Sequence, residues 1–238
     1  MADRLYFRQL LSGRDFAVGD PLASQMVNFS YLIGDRATCE AVVVDPAYSV
    51  SDLLAVAEAD GMRVTGALAT HYHFDHVGGS FAGYDVEGIA ALLELQPLKI
   101  HVNAAEAEWV RRTTGVSDAD LVTHDSGDTV DVGAVVIELL HTPGHTPGSQ
   151  CFLVDKKLVA GDTLFLEGCG RTDLPGSDVE AMYASLQRLA ALPDDTIVFP
   201  GHRYSAQPDA PLSEVREHNF VFKPKSKEQW LQMFSARR

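Results

Sequence analysis

Apolar stretches enriched in β-branched residues recur at 26–33, 38–44, 64–69, 100–102, 134–140, 150–154, 157–160 and 196–199. Each has the length of a strand and is bounded by polar or glycine-bearing segments, so the pattern predicts strands there. Only Asp155 and Lys156 separate two of them, which predicts a tight hairpin. Helix starts are signalled where a side-chain acceptor is followed three residues on by a carboxylate: Ser49 with Asp52, Asn103 with Glu106, and Ser177 with Glu180. The segments that follow are amphipathic. Leu53, Val56 and Ala57 share one face before Gly61, and Met182, Leu186, Leu189 and Ala190 share one before Pro193. Strands and helices thus alternate, with hairpins at the start and in the middle. The expected architecture is an α/β mixed sheet with helices on the outside.

A chain of 238 residues, 46% hydrophobic, can bury a full core and fits one large domain over 1–238 better than two small ones. A tail of about 203–238 carries two short helical patterns, 211–218 and 225–234. Met1-Ala2-Asp3-Arg4 shows no charged-then-apolar leader, and no stretch approaches the ~20 apolar residues of a membrane span, so the chain is expected to be soluble and cytoplasmic. A net charge of −14 disfavours nucleic acid and anionic membranes as partners. A small anionic substrate stays open, because a cationic centre can reverse the local field. Cys39, Cys151 and Cys169 are far apart and odd in number, which argues against a disulfide framework. Cys39 and Cys151 lie in apolar contexts and are expected to be packed thiols, whereas Cys169 lies in the loop-like Gly168-Cys169-Gly170-Arg171.

The strand predicted at 64–69 runs straight into Thr70-His71-Tyr72-His73-Phe74-Asp75-His76-Val77-Gly78-Gly79. Four potential metal ligands fall within six positions. Protonated imidazoles so close would repel one another, and a bound divalent cation removes that difficulty. The alternative is a polar loop that happens to be histidine-rich. Three of the nine histidines lie in this hexapeptide, a concentration that chance rarely produces. Three further donors stand at the ends of other predicted strands, each directly after a glycine that can turn the chain sharply: His145 after Gly144, Asp162 after Gly161, and His202 after Gly201. Residues 81–99 are the least periodic interior stretch, with a helical pattern at 86–95 ending at Pro97. They read as an insertion near the metal loop, either a substrate-facing wall or a packing helix.

In this order, His-x-His-x-Asp-His followed by His145, Asp162 and His202 resembles the metallo-β-lactamase superfamily from about Met26 to His202. Thr-Pro-Gly-His-Thr-Pro-Gly, Gly-Asp-Thr-Leu-Phe and Gly-Cys-Gly-Arg resemble its glyoxalase II branch in particular. The resemblance implies a four-layer αβ/βα sandwich with two divalent ions, zinc foremost and iron or manganese as alternatives, at one edge between two sheets. It implies that His71, His73 and His145 bind one ion, that Asp75, His76 and His202 bind the other, and that Asp162 bridges both. His101, His124, His141 and His218 have no motif position; His141 is the one placed for a supporting or substrate role, and the others are expected at the surface or satisfied in the core.

Two ions sharing a water would bring its pKa from about 15.7 to about 7 or below, which makes a bridging hydroxide the expected nucleophile. No Gly-x-Ser-x-Gly elbow offers a rival. The expected reaction is hydrolysis of a thioester of the hydroxyacyl-thiol type, with Asp75 and Asp162 orienting the nucleophile and Arg171 and Tyr204 contacting the polar end of a small-molecule substrate. Glyoxalase II enzymes recognise glutathione partly through a sizeable helical C-terminal region, whereas 36 residues follow His202 here, so another thiol carrier is open.

Rival expectations come from the same superfamily. The persulfide dioxygenases resemble the chain in Gly168 to Asp173 and in a short tail. They imply a single iron held by His71, His145 and Asp162. Lactonases share the His-x-His-Phe-Asp-His loop. Oxygen-reducing diiron members carry a carboxylate at the position of His73, β-lactamases proper lack the counterpart of Asp162, and RNA-processing members need a large inserted domain. A non-catalytic metal-binding domain should tolerate loss of a ligand, yet all seven positions are filled.

Overall fold

The β-branched runs form strands in two sheets, one from each half of the chain. The structure, a computed structural model, describes residues 4–81 and 83–235. Met1-Ala2-Asp3, Ala82 within the expected insertion and the last three residues of the expected tail lie outside the described residues. The first half runs β1 (Leu5–Leu11), α1 (Pro21–Met26), β2 (Phe29–Asp35), β3 (Glu40–Val44), α2 (Val50–Ala59), β4 (Arg63–Leu68), α3 (Phe74–Val77), β5 (Gly79–Phe81), β6 (Tyr84–Val86), α4 (Ile89–Leu95), β7 (Lys99–Asn103), α5 (Ala107–Thr114) and β8 (Leu121–His124). The second runs β9 (Thr129–Val132), β10 (Val135–His141), β11 (Gln150–Val154), β12 (Lys157–Gly161), α6 (Val179–Ala190), β13 (Ile197–Pro200), β14 (Ala210–Pro211), α7 (Leu212–His218) and α8 (Lys227–Ser235).

One sheet has the order β1-β2-β3-β4-β7-β8 and the other β14-β13-β12-β11-β10-β9, with β5 and β6 forming a small separate hairpin. Residue alternation sorts the side chains into three apolar layers. Val42, Val44, Tyr31 and Ile33 from the first sheet meet Ile137, Leu139, Phe152 and Val159 from the second. On the outer face of the first sheet, Ala41 and Val43 pack under Leu53, Ile89 and Val110 of the helices. On the outer face of the second, Leu158 and Ala160 pack under Met182, Leu186, Leu189 and Trp230. Helix, sheet, sheet, helix is the four-layer αβ/βα sandwich.

Several boundaries differ from the pattern-based expectation. Met26, expected to open the strand at 26–33, instead ends the helix 21–26, because Asp20 accepts from Leu22 N and Ala23 N and Pro21 occupies the first turn, where its missing N–H costs nothing. The strand starts only after Val27, whose φ of 50° closes the helix. Cys39 is exposed rather than packed: it sits in the β2–β3 turn with φ 56°, and only Cys151 of the pair is buried. The Ser49 hydroxyl caps nothing, and Asp52 instead accepts from Ala17 N. The α6 cap is Asp178, one residue past Ser177, accepting from Glu180 N and Ala181 N. The hairpin at Asp155-Lys156 forms with φ of 41° and 63°, the left-handed pair such a turn requires. Strands β1, β5, β6, β8, β9 and β14 carry weaker patterns and are found only in the structure. In the 81–99 segment, α4 packs with Ile89 and Leu92 buried in the first outer layer, while Phe81 at its start remains exposed beside the site described next.

The sheets are tied together at one edge. Phe29 N donates to Gly201 O and Arg203 N to Val27 O, while Gln150 N donates to Thr70 O and Gln150 Nε2 to Ala69 O. These cross-sheet bonds fix the strand ends that carry polar side chains.

Candidate metal centre

After β4 the chain bends at Thr70 and runs as a loop to His73, itself extended, before entering α3. His71 and His73 therefore project from the loop, and Asp75 and His76 from the first turn. His71 Nε2 lies 3.1 Å and His145 Nε2 3.0 Å from His73 Nδ1, so three ring nitrogens meet at one point. A second group forms alongside: His76 Nε2 is 3.2 Å from His202 Nε2, and Asp75 Oδ2 is 3.4 Å from the latter. Asp162 lies between them, with Oδ1 3.5 Å from His76 Nε2 and Oδ2 3.4 Å from His202 Nε2 and 3.6 Å from His145 Nε2. All seven expected ligands are brought together, in three overlapping groups each able to hold an ion.

The outer nitrogens decide what the inner ones present. His145 Nδ1–H donates to Arg171 O and His202 Nδ1–H to Met26 O, both at 2.8 Å. His76 Nδ1–H donates to Asp45 Oδ2 at 2.9 Å. The Thr70 hydroxyl donates to the same carboxylate at 2.6 Å, so its oxygen is left to accept from His71 Nδ1–H at 3.0 Å. Each Nε2 consequently turns a lone pair towards the centre. Lone pairs about 3 Å apart repel unless a proton or a metal ion lies between them, and Asp162 Oδ1 is buried with no hydrogen-bond partner among the described residues. The donor set fits divalent metal ions.

Electrostatics separate the two groups. Burial, followed by the neighbouring histidines, holds His71 well below the usual imidazole range, and burial with His145 lowers His73 to about 4. At His76 burial opposes the charge, but Asp75, Asp162 and Asp45 outweigh it and raise the pKa to about 10. Burial likewise disfavours ionised Asp162, and His202 and His76 overcome it and hold the carboxyl well below its ordinary value.

Three glycines beside ligands act differently from one another. Gly161 has φ 48° and Gly144 φ 144°, which suits the sharp turns expected of them. Gly201 has no such φ; it is small because a Cβ there would lie 2.3 Å from Asp162 Oδ1.

Both expected substrate contacts line a cavity of about 1240 Å³ that opens over the two groups. Tyr204 lies parallel to His202, ring centroids 4.8 Å apart, and burial raises its pKa, so the phenol stays a donor. The Arg171 side chain is exposed and pairs with Asp173, while its carbonyl is what orients His145. Aromatic side chains form the remaining walls: Tyr72 stacked on Trp109, Phe74 on Phe81, and Phe165 edge-on to Tyr204. His141 donates to Pro147 O and so supports the loop of His145, and His101 and His124 bond each other outside the cavity lining.

Sequence reasoning missed the residues that hold the ligands. Asp45 was legible as a carboxylate directly after the buried run of β3. Asn28, which donates to Asp75 O and Oδ2 and accepts from the Tyr48 hydroxyl, had no local signal at all.

An αβ/βα sandwich with a histidine–aspartate metal centre at the joined sheet edges defines a metal-dependent enzyme class. The chain belongs to the metallo-beta-lactamase superfamily, whose family model matches residues 25–202. It is 29% identical over 205 residues to the probable polyketide biosynthesis zinc-dependent hydrolase BaeB of Bacillus velezensis, covering 86% of this chain and 85% of that protein. With hydroxyacylglutathione hydrolase of Rhodopseudomonas palustris it shares 38% over 182 residues, 75% of this chain and 64% of the relative. The crystal structure of ETHE1 from Myxococcus xanthus superposes with a TM-score of 0.79 at 31% identity, covering 98% of this chain and 91% of that one. The relatives of this chain include metallohydrolases and a dioxygenase, the mitochondrial persulfide dioxygenase ETHE1 of Bos taurus, 31% identical over 198 residues and covering 80% of this chain and 70% of that protein. Among the described residues no helix is long and apolar enough to cross a membrane.

Proposed function

We propose that the protein is a two-metal hydrolase acting on thioesters of the hydroxyacyl-thiol type. The observation that carries this reading is the position of Asp162 between two donor groups of equal completeness. His71, His73 and His145 would hold one ion and Asp75, His76 and His202 the other, with Asp162 shared. Zinc is the proposed metal, and iron or manganese suits the same donors. Ions held there supply Lewis acidity and an ionised water near neutral pH. The protein's own groups do the positioning. Asp75, Asp162, Tyr204 and Arg171 all line the cavity, where the carboxylates would orient the nucleophile, the Tyr204 hydroxyl offers a donor and Arg171 a cation. The aromatic walls exclude water around the acyl group. A thiolate leaves without an obligatory general acid, because thiols ionise at a pKa of about 8.5.

Likeness to ETHE1 favours a second reading, a mononuclear iron persulfide dioxygenase using His71, His145 and Asp162. It leaves Asp75, His76 and His202 converged with no ion to hold, which is why the two-metal reading is preferred. The test pairs elemental analysis of purified protein with two assays, thiol release from acyl thioesters and persulfide-dependent oxygen uptake. About two ions per chain with thiol release supports the proposal. One iron per chain with oxygen uptake overturns it.

A further inference from the structure

The buried carboxylate of Glu106 lies outside the ligand set, yet it joins the two loops that deliver His71, His73 and His145. It is 1% exposed. Its Oε1 accepts from Tyr72 N at 2.8 Å, between His71 and His73 in the chain, and from the Thr146 hydroxyl at 2.7 Å, next to His145. Its Oε2 accepts from Gly148 N at 2.6 Å. The fit is close: a Cβ on Gly148 would sit 2.5 Å from Glu106 Cβ. Glu106 is also the residue before α5, and Trp109 of that helix stacks on Tyr72 with ring centroids 4.9 Å apart. The second group is held by other residues: Asp45 orients His76 and also accepts from Thr70, and Asn28 holds Asp75.

We infer that Glu106 is a positioning residue for the first ion: it sets the separation of the 71–73 loop from the 145–148 loop, and through α5 it ties that separation to the cavity wall. The inference rests on His71, His73 and His145 acting as ligands of one ion, and its test does not depend on which substrate is turned over. A glutamine at 106 would keep one acceptor and turn an NH2 towards a donor, so the loops part. Partners bonded directly to ligands change metal affinity by about 10–100-fold when removed, and a residue that fixes the ligand-bearing loops acts through the same geometry.

The experiment compares wild type, Glu106→Gln and Thr146→Val as full-length protein, stripped with chelator and titrated with Co2+ against a competing chelator while the visible absorption is followed. A His202→Ala background, which removes a donor of the other group, isolates the ion concerned. In Glu106→Gln that ion is expected to bind roughly 10–100-fold more weakly with an altered cobalt spectrum, the other ion to bind as in wild type, and kcat to fall more than KM rises. Thr146→Val, lacking one of the three donors, should show the same pattern at smaller size. Wild-type affinity and spectrum in both variants overturns the inference. So does parallel loss of both ions with a lower Tm of the metal-free protein, which is the mark of a general packing role. Should Glu106→Gln fail to fold, Thr146→Val decides: selective weakening supports the role, and unchanged binding overturns it. Absence of thiol release from wild type would count against the thioester reading alone.

Discussion

The two sheets supply the metal centre in different ways. The first delivers four ligands from six consecutive positions, His71 to His76, at the end of one parallel strand. The second delivers three, one each from the segments following β10, β12 and β13. A contiguous set keeps its internal geometry as long as one loop and one helical turn persist. A dispersed set depends on the strands of a sheet holding their register, and on that sheet keeping its distance from the other. The backbone bonds between Phe29 and Gly201 and between Gln150 and Thr70 therefore belong to the site as much as to the fold.

The most severe way to break this comparison is Asp162→Ala, since Asp162 is the one dispersed ligand that lies against both groups. Thiol release is expected to vanish and both ions to be lost or weakened, measurable by elemental analysis; retention of two tightly held ions would show that the contiguous set suffices. Next in size is Gly201→Ala, whose Cβ would press on Asp162 Oδ1 at 2.3 Å. Overpacking of this sort costs about 1–3 kcal/mol, and a denaturant midpoint should fall accordingly, whereas Gly127→Ala, with nothing within 4 Å of its Cβ, should cost only what its left-handed φ of 93° demands. Asn28→Ala attacks the contiguous set from outside: it leaves the Tyr48 hydroxyl and Asp75 O without their partners, at about 1–3 kcal/mol for a buried unsatisfied group. Its metal loss should be confined to the Asp75–His76–His202 group, as read by chelator competition.

The smallest effect concerns the other close histidine pair. His101 Nδ1 and His124 Nε2 are 2.8 Å apart, but here one nitrogen donates to the other and no cation is called for. Burial, followed by His124, lowers His101 to about 4. The folded state therefore binds fewer protons there than the unfolded chain between that value and the ordinary imidazole value of 6.5, and stability should decline as pH falls through this window. His101→Gln should flatten that decline while leaving metal content unchanged.

The same division governs what could be read in advance. The strands that hold the metal centre have clean β-branched runs, and all seven ligands stand out because each lies in the short polar or glycine-bearing segment after such a run. The start of the 26–33 run misled because the apolar Met26-Val27 pair adjoins a real strand, whereas Asp20-Pro21 starts a helix that Met26 and Val27 close. Glu106 was legible only as a helix-start carboxylate. Its position before α5 is indeed a helix start, but the carboxylate turns away from that helix to bond Tyr72, Thr146 and Gly148. No local pattern encodes a partner 34 or 42 positions away.

What the order of residues determined by itself was the chemistry and the layering: strand-length apolar runs force two-faced sheets, amphipathic helices must cover them, and histidines with aspartates at strand ends demand a cation. Only the tertiary structure decided how those donors are shared. Which nitrogens face inward depends on Asp45, Thr70, Met26 O and Arg171 O, and whether seven donors make one group or two depends on how closely the second sheet's strand ends approach the first. Those are distances between elements remote in the chain, and packing sets them, not sequence spacing.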